Sequence, residues 1–252
     1  VGDRAGLSVT TGVENTIIGG LAGDALTDAD FNIAIGVAAL SADTKGNKTV
    51  AIGTGALQTQ NFTSSTDTFN TAVGYLAGSA ITTGINNTIM GGQAGDALTD
   101  ADFNVAIGRL ALTADTLGSR SVALGHAALS TQNFTSDTNT YNVAVGFSAG
   151  LAVTTGVQNT LIGALAGDSI NTGNRNTILG YNSANSLADG SDNVAIGNQV
   201  EVAASLGNSI TLGSGISATG SNDFSFGKAS NVVTNDFDAD ANWSRSSDER
   251  LK

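Results

Sequence analysis

The chain is built from a long repeat that contains a shorter one. Residues 19–90 and 91–162 are closely similar, so that DALTDADFN begins at Asp24 and again at Asp96, 72 residues later. Within each copy an apolar triplet followed by glycine recurs, usually after an asparagine, as in NTIIG at Asn15 and NIAIG at Asn32. The glycines that end these motifs are spaced by 17, 17, 17 and 21 residues, and the cycle then repeats. A fixed period this short predicts a solenoid, in which each turn stacks only on its neighbours.

Each apolar triplet has the pattern of a strand that is covered on both sides. In Val105-Ala106-Ile107 the first and third side chains share one face of the strand, and the second points to the other face. Both faces are apolar, which is typical of a strand buried on both sides. One face can fill the inside of the coil, and we expect Ile107 to lie in this interior column. The other face needs a cover that a single chain does not supply.

A second short apolar patch follows each glycine, as in Ala39-Leu40 and Ala56-Leu57, and we interpret it as a second strand. Polar turn residues such as Thr82-Thr83-Gly84 then return the chain to the next asparagine. Asparagines stacked in successive turns can form a ladder of side-chain amides. These features predict an all-β fold, a parallel β-roll or β-solenoid with two short strands in each coil of 14–21 residues.

The composition excludes several classes of function. The net charge of −12 argues against binding to nucleic acids or to anionic membranes. No apolar stretch approaches the roughly 18 residues of a membrane-spanning helix, so no membrane insertion is expected. The chain has no cysteine and one histidine, which removes disulfides, thiolate metal sites and histidine-based triads, and we expect no cofactor. Residues 1–6 already match the middle of a repeat, so we expect the chain to start partway through a longer protein.

Two acidic loops are candidate metal sites. Asp28 and Asp30 precede Asn32, and Asp100 and Asp102 precede Asn104, which gives the alternation D-x-D-x-N. Carboxylate and amide oxygens in such a pattern could bind Ca²⁺. The loops lack the glycine and the distal glutamate of an EF-hand, so solvated turns that keep the protein soluble are the favoured interpretation.

Two aromatic residues lie in the four-residue expansions that lengthen some turns from 17 to 21 residues. Phe62 and Phe134 are surrounded by polar residues and could stack on sugar rings of a receptor. The favoured alternative is that each ring folds back and fills the bulge that its own insertion creates.

The repeats, over residues 1–227, resemble the heads of trimeric autotransporter adhesins, which are built from N-[ST]-[VA]-x-[IV]-G motifs. This resemblance implies a left-handed parallel β-roll, intertwined as a homotrimer in which the second strand face meets the other two chains. The chain differs from the adhesins in its longer coils and its 21-residue turns, and we expect it to lack their membrane anchor.

The C-terminal sequence from Ser246 to Lys252, SSDERLK, resembles the start of the intramolecular chaperone domain of phage tailspikes and fibres. In that family the chaperone trimerises and then releases itself by cleavage between Ser and Asp. The resemblance implies that the bond between Ser247 and Asp248 is cut, with Ser247 as nucleophile and Lys252 assisting it. The predicted domains are therefore a repeat β-roll over 1–227, a neck over 228–247 and the first chaperone residues over 248–252.

Together these features predict a structural virion protein, the shaft segment of a homotrimeric phage tail fibre that is assembled in the host cytoplasm and works outside the cell. Its expected partners are two further copies, other tail or fibre proteins and a host glycan or protein receptor. Apart from self-cleavage, no enzymatic activity is expected. The alternatives are a bacterial adhesin head of the autotransporter type and a β-helical polysaccharide depolymerase. The depolymerase would need a carboxylate pair in a cleft, and no such pair stands apart from the repeating turns.

Overall fold

A computed structural model describes residues 1–238 and the short strand at residues 244–245, and the chain divides into two compact units, Val1–Thr140 and Tyr141–Lys252. The described residues form strands and turns and contain no helix. Both units consist of short parallel strands stacked one turn above another. The prediction of an all-β parallel solenoid is therefore confirmed.

The first unit contains seven three-residue strands in one parallel stack and two additional two-residue pairs. The stacked strands pair in register, so that Val105 lies beside Thr88 on one side and Val122 on the other. The strands of this unit are β1 (Thr16–Ile18), β2 (Ile33–Ile35), β3 (Gly46–Asn47), β4 (Val50–Ile52), β5 (Thr66–Asp67), β6 (Thr71–Val73), β7 (Thr88–Met90), β8 (Val105–Ile107), β9 (Gly118–Ser119), β10 (Val122–Leu124) and β11 (Thr138–Asn139).

The second unit continues the same construction and then changes it. Its parallel strands are β12 (Val143–Val145), β13 (Thr160–Ile162), β14 (Thr177–Leu179), β15 (Val194–Asn198), β16 (Ile210–Ser214) and β17 (Asp223–Lys228). The strands lengthen from three to six residues as the spacing between glycines falls. After β17 the chain reverses, and β18 (Asn231–Asp236) and β19 (Ser244–Arg245) pair in the antiparallel sense.

The inside of each coil is filled by the middle residue of the strand. Ala106 is fully buried, whereas Ile107 and Val105 beside it are only half-buried. The assignment of Ile107 to the interior column is therefore wrong. In a three-residue strand only one side chain points inward, and the two flanking side chains must point outward.

The apolar patch after each glycine is not a second strand, which corrects the prediction of two strands in every coil. Leu40 has a φ of 53° and Leu57 a φ of 49°, so the backbone follows left-handed turns at these positions. The patch is still joined to the next turn by hydrogen bonds, since the amide of Leu40 donates to the carbonyl of Ala56 at 3.0 Å. Both leucine side chains are fully buried and fill the coil opposite the strand.

The predicted asparagine ladder is present, and most of its bonds run to the backbone. Oδ1 of Asn87 accepts from the amide of Asn104 at 2.9 Å, and Nδ2 of Asn87 donates to the carbonyl of Ala101 at 2.8 Å. Direct bonds between side-chain amides also occur, as between Asn176 and Asn159 at 3.1 Å. Each buried asparagine thus satisfies polar groups of the backbone in the following turn, where water has no access.

Candidate functional site

The outward side chains of the strand triplets form a partly exposed and mainly apolar surface, which we call the outer strand face. It consists of the first and third residues of each triplet, and none of them is charged. Met90 and Ile18 are each 45% exposed, which is unusual for large apolar side chains in strands. In the first unit the outer strand face comprises Thr16, Ile18, Ile33, Ile35, Val50, Ile52, Thr71, Val73, Thr88, Met90, Val105, Ile107, Val122 and Leu124.

In the second unit the outer strand face becomes aromatic towards the last parallel strand. It comprises Val143, Val145, Thr160, Ile162, Thr177, Leu179, Val194, Ile196, Ile210, Leu212, Phe224 and Phe226. The rings of Phe224 and Phe226 lie 5.6 Å apart, and Phe237 stacks 6.4 Å from Phe224. With Ile196, Leu212, Gly213 and Gly227, the first two rings line a shallow apolar groove.

The size and the lack of charge of the outer strand face indicate a binding surface. Soluble monomers rarely expose a contiguous apolar surface of more than a few hundred Å² unless it serves binding. The absence of charge from every position also matches the core of a protein interface, where charged residues are depleted. The outer strand face is therefore the strongest candidate for a functional surface on this chain.

Phe62 and Phe134 do not lie on that surface. Their side chains are 8% and 7% exposed, as the interpretation of the rings as filling residues expected. The backbone amide of Phe62 donates to Oδ1 of the buried Asp43 at 3.0 Å. The equivalent bond joins Phe134 to Asp115, also at 3.0 Å. The expansion of the turn is thus anchored to an internal carboxylate, and the ring is held inside the coil.

Asp43 is the centre of a buried polar network that sequence reasoning missed. Its Oδ1 accepts from the amides of Gly46 and Phe62, and its Oδ2 accepts from Nε2 of Gln60 at 2.6 Å. Oε1 of Gln60 accepts in turn from Nδ2 of Asn70 at 2.8 Å. Asp115 and Gln132 repeat the arrangement one long period later. The sequence did carry a signal for this network. Asp43, Gln60, Asp115 and Gln132 each lie seven residues after a motif glycine, a position at which most other turns carry an apolar residue such as Leu26.

The acidic loops are joined to the neighbouring turns. Asp28 accepts from the hydroxyl of Thr11, and Asp100 accepts from that of Thr83. Asp30 accepts from the amide of Val13 at 2.7 Å. Among the residues whose placement is described, no three histidine, aspartate or glutamate side chains form a group that could hold a metal ion. Through these hydrogen bonds the loops cap the neighbouring turns.

Asp102 repeats the role of Asp30, with its Oδ1 accepting from the amide of Ile85 at 2.7 Å. Burial raises the pKa of Asp102, and the carboxylates of Asp100 and Asp137 raise it further. The bond from Ile85 and the nearby charge of Arg120 oppose this shift. In this loop the part-buried carboxylate of Asp102 is therefore close to two other carboxylates and to one guanidinium group.

The predicted self-cleavage residues Ser247 and Lys252 lie outside the described residues. Within the described part, no helix is long and apolar enough to cross a membrane. No known protein family, curated protein or solved structure matches the chain. The argument for its function therefore depends on the geometry of the turns and on the sequence motifs.

Proposed function

We propose that the chain is the shaft segment of a homotrimeric phage tail fibre, in which the outer strand faces of three copies pack around a common axis. The observation that carries this proposal is the uncharged apolar row that recurs in every turn. Packing against two identical rows would remove the exposed side chains from water at about 25 cal/mol for each Å² of apolar surface buried. By its likeness to the adhesin heads, the coil of each chain is left-handed.

The proposed role is mechanical. Backbone hydrogen bonds join each turn to the next, and the buried asparagine ladder reinforces them. A stack of this kind resists bending and stretching because many bonds must break together. In this proposal the fibre carries contacts to other tail proteins and to a host glycan or protein receptor. It is assembled in the host cytoplasm and works outside the cell as part of the virion.

The C-terminal motif supports a phage fibre over its rivals. The sequence SSDERLK resembles the start of a self-releasing chaperone domain, with cleavage between Ser247 and Asp248. A desolvated lysine such as Lys252 can serve as the base that activates a serine. A bacterial adhesin head would instead be followed by a membrane anchor. The depolymerase alternative requires a carboxylate pair in a cleft, and glycan cleavage by the purified protein would favour it.

Sedimentation equilibrium of the purified chain tests the central proposal. At micromolar concentration we expect a single species with three times the mass of the chain, 25.0 kDa each. A stable monomer at that concentration would refute the proposal. A well-defined dimer would refute the trimeric packing while leaving the outer strand face as an interface.

Ser247→Ala tests the proposed maturation step in a longer chain that includes the residues after Lys252. We expect the wild-type chain to give two fragments on a denaturing gel and the variant to remain intact, because the alanine has no nucleophile. Ser246→Ala, one residue earlier, is the matched control and should be processed normally. Normal processing of Ser247→Ala would remove this serine from the mechanism.

A further inference from the structure

A second row of side chains runs up the first unit beside the outer strand face. It is formed by the residue two places before each strand triplet, and we call it the lateral row. Its members in successive turns are Glu14, Phe31, Lys48, Phe69, Asn86, Phe103 and Arg120. The three phenylalanines therefore occupy every second turn and alternate with polar or charged side chains.

The backbone does not require aromatic residues in the lateral row. Phe31, Phe69 and Phe103 have φ values of 60°, 51° and 59°, a left-handed conformation that is unfavourable for bulky side chains. Lys48 and Asn86 adopt the same conformation at 58° and 59°. Asparagine tolerates it better than phenylalanine does. The fold thus accepts an aromatic residue here but gains nothing in backbone energy from it.

Packing does not explain these aromatic residues either. The rings are 49%, 54% and 48% exposed, so each leaves about half of its surface in water. Their charged neighbours cover them only in part, with Nζ of Lys48 at 5.3 Å from the ring centre of Phe69 and Cζ of Arg120 at 4.9 Å from that of Phe103. Strained, exposed aromatic residues that serve neither the backbone nor the core are typical of binding surfaces.

The spacing of the rings indicates what they bind. Adjacent turns of a parallel stack are about 4.8 Å apart, so rings in alternate turns are separated by roughly 10 Å. A β-1,4-linked polysaccharide turns over at each sugar and presents the same C–H face at every second residue. Aromatic faces favour stacking on such apolar sugar faces. The polar side chains between the rings, Lys48 and Asn86, can donate hydrogen bonds to the hydroxyl groups of the intervening sugars.

We propose that the lateral row of the first unit binds an extended, uncharged β-linked polysaccharide, with Phe31, Phe69 and Phe103 stacking on alternate sugars. The net charge of −12 disfavours polyanionic glycans. The lateral row also differs from the outer strand face, because Glu14, Lys48 and Arg120 place full charges in it. Such charges suit a solvated binding surface better than the core of an interface between chains. This inference deepens the proposed function, on which it rests, by naming a receptor contact within the shaft.

Affinity electrophoresis tests the inference on the whole chain. Native gels contain hydroxyethyl cellulose or glycol chitin as β-1,4-linked probes, and dextran as an α-1,6-linked control. We expect retardation in at least one β-1,4 gel and none with dextran. The variant Phe31→Asn, Phe69→Asn, Phe103→Asn should lose at least about tenfold in apparent affinity, since each ring contributes a stacking contact. Asparagine is chosen because Asn86 already occupies the same row with the same backbone.

Tyr75→Asn is the matched control, because Tyr75 is 59% exposed but lies after the motif glycine and outside the lateral row. It should leave retardation unchanged. Absence of retardation of the wild-type chain in both β-1,4 gels, or equal loss in the Tyr75 variant, would overturn the inference. Sedimentation equilibrium of the triple variant distinguishes a failure of the polysaccharide inference from a failure of the proposed trimer. If the triple variant no longer assembles, the lateral row belongs to the interface between chains, and the polysaccharide inference is overturned. A triple variant that assembles and binds normally refutes the inference alone.

Discussion

Two adjacent glycines, Gly91 and Gly92, have opposite roles in the turn that follows β7. Gly91 has a φ of 133°, and a Cβ built on it would lie 2.7 Å from the carbonyl carbon of Gly108 in the next turn. At Gly92 the same construction meets no atom within 4 Å. The first glycine is therefore required by the close approach of neighbouring turns, whereas the second is not.

We expect Gly91→Ala to destabilise the fold by more than about 3 kcal/mol, because it combines a disfavoured φ with a backbone clash. Gly92→Ala should change the free energy of unfolding by no more than about 0.5 kcal/mol. Urea denaturation of both variants at equal protein concentration makes the comparison. Similar midpoints for the two variants would show that the turns can separate to admit a side chain.

Asp168 is a residue whose ionisation works against the fold at neutral pH. Its Oδ1 is buried without a hydrogen-bond partner, and burial raises the pKa of the side chain above 3.8 despite a bond to its own backbone amide. Because the folded pKa exceeds the unfolded pKa, stability from this group is fully present below the unfolded pKa and is lost as the pH rises through the folded one.

Asp168→Asn should therefore raise the urea midpoint at pH 7 relative to the wild-type chain. The gain should shrink as the pH falls through the raised pKa of the folded state and should vanish below the unfolded pKa of about 3.9, because the wild-type carboxyl group is then protonated in both states. The control is Asp28→Asn at an exposed position. A gain for Asp168→Asn that is independent of pH would mean that the effect is not linked to ionisation.

The direction of each side chain illustrates what the sequence could and could not predict. A period of two separates the faces of a strand but does not say which face is inside, so the prediction that Ile107 lies inside the coil is wrong. The deciding signal lies across the coil, four residues after the motif glycine. Ile89 and Leu98 occupy the space next to Gly95, whereas the turn with Ala106 carries the buried Leu112. In these two turns the large inward residue is matched by glycine and the small one by leucine, as close packing favours. The turns with Ala72 and Ala144 instead carry Gly78 and Gly150 at that position.

At the scale of the turn, the expansion to 21 residues is held by polar rather than apolar contacts. Asp43 accepts three hydrogen bonds, two of them from backbone amides at 3.0 Å. Thr49 and Thr68 extend the network through a bond of 2.7 Å between their hydroxyls. A buried carboxylate is stable in such a place only when its oxygens are satisfied. The inserted residues therefore adopt a defined structure that is held by hydrogen bonds inside the coil.

Asp43→Asn should destabilise the chain by about 1–3 kcal/mol, because the amide turns one acceptor of hydrogen bonds into a donor facing other donors. Asp28→Asn, whose carboxylate is exposed and caps a turn, should cost less than about 0.5 kcal/mol. Urea unfolding monitored by circular dichroism measures both. An unchanged midpoint for Asp43→Asn would contradict the assignment of this carboxylate as the support of the expansion.

The turn segments show a second limit of sequence reasoning. Ala39-Leu40 and its equivalents have the composition of a short strand, and their backbones do pair with the next turn. Leucine rarely adopts the left-handed φ found at Leu40 and Leu57, so these two turns do not reveal it by themselves. The signal lies in other turns, where Gly23 and Gly95, with φ values of 49° and 52°, occupy the same position four residues after the motif glycine. The repeat period, the motif glycines and the asparagine ladder were predictable because each requires a particular residue type.

At the scale of the whole molecule, the outer strand face separates the stability of the chain from its assembly. The interior column contains fully buried side chains such as Ala106, while Ile107 contributes to the exposed face. Substitutions at these two neighbouring positions should therefore have different consequences. An interior charge acts on the coil itself, and an outer charge acts on the contact between copies.

Ile107→Asp should abolish self-association, because a carboxylate buried between apolar faces without a partner costs at least about 3 kcal/mol per chain. Circular dichroism should remain that of the wild-type chain, since the side chain is only half-buried in a single copy. Ala106→Asp should instead unfold the turns around it. Thr63→Asp adds the same charge at an exposed position in an expanded turn and should assemble normally. Sedimentation equilibrium decides the matter: an Ile107→Asp protein that associates as tightly as the Thr63→Asp control would exclude the outer strand face from the interface between copies.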